Sequence, residues 1–216
     1  RRVLFRSRGN GQGFDAVVDE WDDGDTAIVC LGITSEEEGE EGGGSDNQSG
    51  DRVHYSISDS QLGILRKCRR KNARVKRVIS IVFGGSPFDL KPIVELSDAV
   101  IVAWYPGEAG GTALANILFG KVSPSGKLPV TFYESSVGLP DFTDYSMKNR
   151  TYRYFEGEAL YPFGYGLTYG NCTVKEGDKI KVYFVSSNRD ELHFTTRLNG
   201  KNADTNVLES AFNSCL

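Results

Sequence analysis

Arg77-Val-Ile-Ser-Ile-Val-Phe-Gly-Gly85 is the clearest strand in this chain of 216 residues. It is apolar at most positions, rich in β-branched residues and closed by two glycines. The same pattern occurs before it, over Thr26 to Leu31 and ending at Gly32, and after it, over Ala99 to Trp104 and ending at Pro106-Gly107. Strands that are apolar on both faces are typical of a parallel sheet covered by helices.

Helical patterns alternate with these strands. Ser60 to Lys71 repeats apolar residues at spacings of three, and Glu108 to Phe119 has one apolar face. Alternating strands and helices predict an α/β fold, a layered α/β/α sandwich with a mostly parallel sheet.

A long polar loop, Gly32 to Asp51, follows the first strand. Loops at the carboxyl ends of strands are where open α/β sheets bind ligands. The glutamates of this loop suit acid/base chemistry, because like-charged neighbours and partial burial both raise the pKa that a proton donor needs. A run of charges is also typical of a solvated surface, and the residues alone leave both interpretations open.

Four motifs in a fixed order follow the third strand. The first is Tyr105-Pro-Gly-Glu-Ala-Gly-Gly-Thr and the second is Gly126-Lys-Leu-Pro-Val-Thr-Phe-Tyr. The third combines Leu139-Pro-Asp-Phe-Thr-Asp-Tyr-Ser-Met-Lys with Arg150-Thr-Tyr-Arg-Tyr-Phe, and the fourth is Tyr161-Pro-Phe-Gly-Tyr-Gly-Leu-Thr-Tyr. In this arrangement the chain resembles the C-terminal half of a family 3 glycoside hydrolase of the β-glucosidase or β-xylosidase type.

The resemblance implies a domain organisation. Residues 8–136 would form the α/β-sandwich domain and residues 137–170 a connecting segment. Residues 171–216 would begin a fibronectin type III-like β-sandwich that is incomplete or degenerate, because they are too few for the roughly 100 residues of a full sandwich. The alternating pattern of Lys179 to Ser186 predicts one strand there.

The resemblance also implies which residues act. Family members carry a Gly-Leu-Ser-Pro-x-Leu-Glu-Gly-Glu-Glu segment followed by Gly-Asp-Arg, which matches residues 32–41 and 50–52 here. It implies Glu38 as general acid/base, with Glu40 as its competitor. Asp51 and Arg52 are candidate substrate-binding residues that would contact sugar hydroxyls, and an ion pair between the two is the alternative.

The chain departs from the family pattern in this loop. Glu37 replaces an apolar residue that would anchor the loop, and Gly42 to Gln48 replaces a more structured insertion. Both changes predict a less ordered loop.

The catalytic nucleophile is not encoded here. The resemblance implies an aspartate on an N-terminal (β/α)8 barrel domain, for which these residues contain no counterpart. We therefore predict a fragment of a retaining exo-acting β-glycosidase that hydrolyses terminal β-xylosyl or β-glucosyl residues and is inactive alone. The alternative is a non-catalytic carbohydrate-binding or interaction domain derived from such an enzyme.

Composition argues against other partners and cofactors. The net charge of -4 and the single basic cluster, Lys67 to Lys71, give no reason to expect nucleic acid or a membrane as a partner. The four cysteines lack metal-ligand spacing and there are only two histidines, so we expect no metal. No Gly-x-x-x-x-Gly-Lys loop occurs, which argues against a nucleotide-binding protein, and no organic cofactor is expected.

The first seven residues, Arg-Arg-Val-Leu-Phe-Arg-Ser, match the translation of a sequencing-adapter oligonucleotide. We expect residues 1–7 to be a scar rather than part of the fold, a natural basic N-terminus being the alternative. These residues do not indicate the cellular compartment of the protein. It would be extracellular or periplasmic if the parent protein has a signal peptide.

Overall fold

Strand β2, Val75–Phe83, is the centre of a three-stranded parallel sheet. Strand β1, Asp25–Gly32, pairs along one side of it, and β3, Ala99–Val102, pairs along the other. The order in the sheet is β1-β2-β3. All three strands were predicted, and the predicted parallel sheet and α/β class are confirmed.

A computed structural model is the basis of this description. It describes residues 22–38, 55–70, 73–134, 138–141 and 143–169, and the backbone of Lys179–Val185 and Glu191–Arg197. The chain divides into two compact units: unit 1 comprises residues 1–110 and 132–138, and unit 2 comprises residues 111–131 and 139–216. The domain boundaries predicted from the sequence stay a prediction, and residues 1–7 lie outside the described residues.

Five helices occur in the described part of the chain. They are α1 Ser35–Glu38, α2 Asp59–Cys68, α3 Lys91–Glu95, α4 Gly110–Leu118 and α5 Thr151–Tyr154. The two longest, α2 and α4, match the predicted helices. The other three were not predicted, because a helix of four or five residues is too short to show an apolar repeat. None of the described helices is long and apolar enough to cross a membrane.

One face of the sheet is almost completely buried. In the parallel register, Ala27 lies beside Val78, and Leu31 lies beside Val82, so these side chains share a face. Each of them is at most 2% exposed. Ser80 is on the same face and fully buried, and its hydroxyl shares a 2.7 Å hydrogen bond with the hydroxyl of Ser97. Its polar atom is therefore satisfied, as a buried hydroxyl requires.

Helix α2 contacts β1 and β2 through its apolar side. Leu62, Leu65 and Cys68, the apolar residues that repeat at spacings of three in the predicted helix, are at most 7% exposed. Complete burial of a leucine side chain such as Leu65 stabilises the fold by about 1.5–3 kcal/mol. Burial also raises the pKa of the Cys68 thiol to about 11, although the positive charge of Arg69 opposes the shift.

Two of the family-like motifs pair with each other within unit 2. The backbone N–H of Leu128 donates to the carbonyl of Tyr165, and that of Gly164 donates to the carbonyl of Leu128, each at 2.8 Å. The ammonium group of Lys127 donates to the carbonyl of Gly166 at 2.7 Å. The Gly126 motif and the Tyr161 motif thus pair with each other, which gives both a structural reason to occur together.

The C-terminal part contains an antiparallel hairpin of β4, Lys179–Val185, and β5, Glu191–Arg197. β4 matches the predicted strand. β5 was not predicted, although Leu192 and Phe194 alternate with polar residues within it. That this hairpin begins a fibronectin III-like sandwich stays a prediction.

Asp98 ties the amino ends of β2 and β3 together. Its carboxylate accepts hydrogen bonds from the backbone N–H of Val78 at 2.7 Å and from Arg69 at 2.8 Å. Its own N–H donates to the Val78 carbonyl at 2.8 Å. The Val78 N–H is the main cause that lowers the pKa of Asp98 below its ordinary value of 3.8, with the Arg69 guanidinium adding to it.

We predict that Asp98→Asn lowers the free energy of unfolding by about 1 kcal/mol at pH 7, since the lost bonds involve a charge but lie partly in solvent. Because its folded pKa is depressed, Asp98 stabilises the protein above pH 3.8, and this contribution is lost as the pH falls through the folded value. Urea melts from pH 7 to pH 3 measure this. If the parent protein and Asp98→Asn lost the same unfolding free energy below pH 3.8, the stabilising role given to the Asp98 carboxylate would be wrong.

Gly32 ends β1 at a point where no side chain fits. Its φ is +132°, and an added Cβ would overlap the carbonyl oxygen of Phe83. The side-chain amide of Gln61 pairs with the backbone of Gly32, accepting from its N–H and donating to its carbonyl at 2.8 Å each. The last residue of β1 is thereby fixed to both β2 and α2.

We expect Gly32→Ala to destabilise the protein by about 2–4 kcal/mol, because it combines backbone strain with a clash against β2. The matched control is Gly63→Ala in α2, where nothing lies within 4 Å of the added Cβ. That change should stabilise by about 0.5–1 kcal/mol through the better helix propensity of alanine. Urea midpoints measure both, and equal effects would refute the role given to Gly32.

Candidate active site at the carboxyl edge of the sheet

The three parallel strands end at the same edge of the sheet, and the residues that follow them meet there. Glu38 follows β1, at the end of α1. Gly85 and Ser86 follow β2, and Trp104 and Tyr105 follow β3. All of them belong to unit 1. This edge is where open α/β sheets bind ligands.

Helix α1 is set up by a capping box. The backbone N–H of Thr34 donates to the Glu37 carboxylate at 2.8 Å, and the Glu37 N–H donates to the Thr34 hydroxyl at 3.3 Å. The N–H of Glu38 then donates to the Thr34 carbonyl at 2.9 Å, the first turn of the helix. A Thr-x-x-Glu pair of this kind satisfies helix N–H groups that lack a partner within the helix. Glu37 therefore fixes the first turn after β1. Residues 39–51 of the loop lie outside the described residues, so the lower order expected for the loop stays a prediction.

The carboxylate of half-buried Glu38 accepts three hydrogen bonds. One oxygen, Oε2, accepts from the Tyr105 hydroxyl at 2.8 Å and from the Gly85 backbone N–H at 3.2 Å. The other oxygen, Oε1, accepts a hydrogen bond from the Ser86 hydroxyl. Donors from the ends of β2 and β3 thus fix a carboxylate supplied from the end of β1.

Two backbone features allow the Glu38 carboxylate to lie against Gly85 and Tyr105. An added Cβ on Gly85 would lie 2.8 Å from Glu38 Oε2 and 2.9 Å from the ring of Tyr105, so only glycine leaves the space. Trp104 has a φ of +52°, which is a strained conformation for a large side chain. Its ring packs edge-on against fully buried Phe132, with centroids 6.1 Å apart.

Of the predicted site residues, the structure describes Glu38 and places it in this cluster. Glu40, Asp51 and Arg52 lie outside the described residues. Ser86 and Tyr105 were missed, although each comes shortly after a predicted strand and so belongs to the same edge as Glu38. Within the described part of the chain, no group of three His, Cys, Asp or Glu residues is placed to hold a metal ion.

Residues 5–169 match the family described as the glycosyl hydrolase family 3 C-terminal domain. The chain belongs to this family. Among curated proteins, this family 3 domain is 46% identical over 151 residues to a xylan 1,4-β-xylosidase of Xylanibacter ruminicola, covering 69% of this chain and 17% of that protein. It is 32% identical to probable β-D-xylosidase 7 of Arabidopsis thaliana, covering 67% of this chain and 19% of that protein.

Solved structures agree with this membership. The β-D-glucoside glucohydrolase of Trichoderma reesei matches the family 3 domain with a TM-score of 0.56 and 28% identity, covering 68% of this chain and 22% of that one. The chain thus spans about a fifth of the length of the relatives that it matches.

We predict that Gly85→Ala separates Glu38 from Tyr105 without unfolding the domain, because the atoms that it would displace are the ends of side chains that can move. The unfolding free energy should change by less than about 1 kcal/mol. A crystal structure of the variant measures the displacement. Gly111→Ala in α4, where an added Cβ meets nothing within 4 Å, is the control. An unchanged contact between Glu38 and Tyr105 would contradict the argument from space.

Proposed function

We propose that this chain supplies the general acid/base, Glu38, of a retaining exo-acting β-glycosidase that removes terminal β-xylosyl or β-glucosyl residues. The observation behind the proposal is the position of the Glu38 carboxylate, at the carboxyl edge of the sheet and held by donors from the two neighbouring strand ends. A carboxyl group fixed in this way can transfer a proton in a defined direction, which acid/base catalysis requires.

The chemistry needs a second carboxylate. In a retaining enzyme the two carboxyl groups stand about 5–5.5 Å apart, one protonating the leaving oxygen while the other attacks the sugar. Glu38 would give its proton in the first step and, as a carboxylate, take a proton from the attacking water in the second. We propose that the nucleophile is an aspartate of an N-terminal (β/α)8 barrel domain. We therefore expect the 216-residue chain alone to hydrolyse no glycoside.

Two observations support the substrate class. The two curated relatives described above are named β-xylosidases, and the similar solved structure is a glucoside glucohydrolase. Terminal β-xylosides are therefore the first substrates to test and β-glucosides the second. Asp51 and Arg52 are proposed to contact the sugar hydroxyls on the strength of their sequence position beside the acidic loop.

The test uses the full-length protein that contains this chain, with Glu38→Ala. We expect hydrolysis of xylobiose, whose leaving group needs protonation, to fall by about 10²–10⁴-fold. An aryl xyloside with an acidic phenol needs little protonation, so its first step should be nearly unchanged. Added azide should restore turnover and yield a β-glycosyl azide, because azide attacks the glycosyl-enzyme without base catalysis. Product analysis by NMR and mass spectrometry measures this.

Glu40→Ala is the matched control, since Glu40 is the competing candidate. It should keep most activity and form no glycosyl azide. If azide rescues Glu40→Ala and not Glu38→Ala, the acid/base is Glu40. If the full-length protein hydrolyses neither β-xylosides nor β-glucosides, the glycosidase proposal fails and sugar binding without turnover takes its place.

A further inference from the structure

Each oxygen of the Glu38 carboxylate accepts a hydrogen bond from a side-chain hydroxyl. The Ser86 hydroxyl donates to Oε1, and the Tyr105 hydroxyl donates to Oε2. One donor alone would let the carboxyl group rotate about its bond to the rest of the side chain. Two donors on different oxygens fix the plane of the group as well as its position.

We propose that Ser86 and Tyr105 are positioning residues that hold the Glu38 carboxyl group in one orientation through both of its protonation states. The inference rests on the acid/base role proposed for Glu38. It assigns a function to two hydroxyls that come from the ends of β2 and β3.

The chemical nature of the partners suits a group that gains and loses a proton. A hydroxyl both donates and accepts hydrogen bonds, whereas an ammonium or guanidinium group only donates. When Glu38 is ionised, both hydroxyls can donate to it, which fits the two contacts. When Glu38 is protonated, its O–H can donate to one of the hydroxyl oxygens, so the contact survives the proton transfer. A lysine or arginine in the same place would favour the anion alone.

This arrangement includes a strained backbone conformation at Trp104. Tyr105 is directed at Glu38 by the positive φ of Trp104, and the Trp104 ring is held against buried Phe132. The backbone N–H of Gly84 donates to the Trp104 carbonyl at 3.3 Å, which joins this turn to the end of β2. A large residue in a left-handed conformation persists only where its surroundings enforce it, and such positions cluster at functional sites.

The first test needs no catalytic activity. In the 216-residue chain labelled with ¹³C at the glutamate carboxyl carbons, the Glu38 signal is assigned by its loss in Glu38→Gln. Its titration is then followed in Ser86→Ala and Tyr105→Phe. Each variant should move the titration midpoint to higher pH, because a donor that stabilises the anion is removed. Ser60→Ala, at the exposed start of α2, and Tyr145→Phe, at an 84% exposed ring, should leave it unchanged. A midpoint that stays the same in both site variants overturns the proposal.

The second test is kinetic and uses the full-length protein. In Ser86→Ala and Tyr105→Phe, kcat on xylobiose should fall about tenfold while KM changes less than about twofold, because neither hydroxyl is assigned to the sugar. The basic limb of the kcat profile, which reports the protonated acid, should move to higher pH. An unchanged limb, or a kcat that rises, overturns the proposal, since a rise would mean that the two hydroxyls hold Glu38 away from its working position.

The two proposals fail in different ways. If azide rescue assigns the acid/base to Glu40, the function proposed for Glu38 is wrong whatever the hydroxyl variants do. If Glu38→Ala behaves as expected and the hydroxyl variants retain the parent pH profile, Glu38 keeps its role and only the positioning proposal is wrong.

Discussion

The parallel register of β1, β2 and β3 is the constraint on which the rest of unit 1 depends. It places Leu31 beside Val82 and Gly32 beside Phe83, so that buried side chains share one face and all three strands end at one edge. A slip of one residue would turn every side chain of a strand to the opposite face. It would also move Gly32 away from the Phe83 carbonyl, which an added Cβ would overlap.

Polar contacts close both ends of this sheet. Asp98 accepts from the β2 backbone and from Arg69 at the amino end, and Gln61 pairs with both backbone groups of Gly32 at the carboxyl end. These contacts satisfy backbone groups where the strand ladder stops, which a folded domain requires. Because Gln61 binds both backbone groups of Gly32, the turn after Gly32 starts from a defined position, and the capping box of Thr34 places Glu38 one helical turn further on.

Two hydroxyls and a backbone amide donate hydrogen bonds to the Glu38 carboxylate. Hydroxyl donors suit a group that exchanges a proton, because a hydroxyl can also accept a hydrogen bond. Asp98, which has a structural role, accepts from an arginine instead. The two carboxylates of the same unit thus each accept from a backbone N–H and differ in the side chains that donate to them, hydroxyls for Glu38 and a guanidinium for Asp98.

The sequence by itself determined the three strands, the two long helices and the candidate Glu38, because apolar repeats and family motifs are local patterns. It could not predict α1, α3 and α5, which are too short for a repeat. Only the tertiary structure decided the partners of Glu38. Ser86 and Tyr105 are 48 and 67 residues away from it in the chain. Their hydrogen bonds depend on the register of three strands and on the unusual backbone at Trp104, and no local sequence pattern predicts either of these.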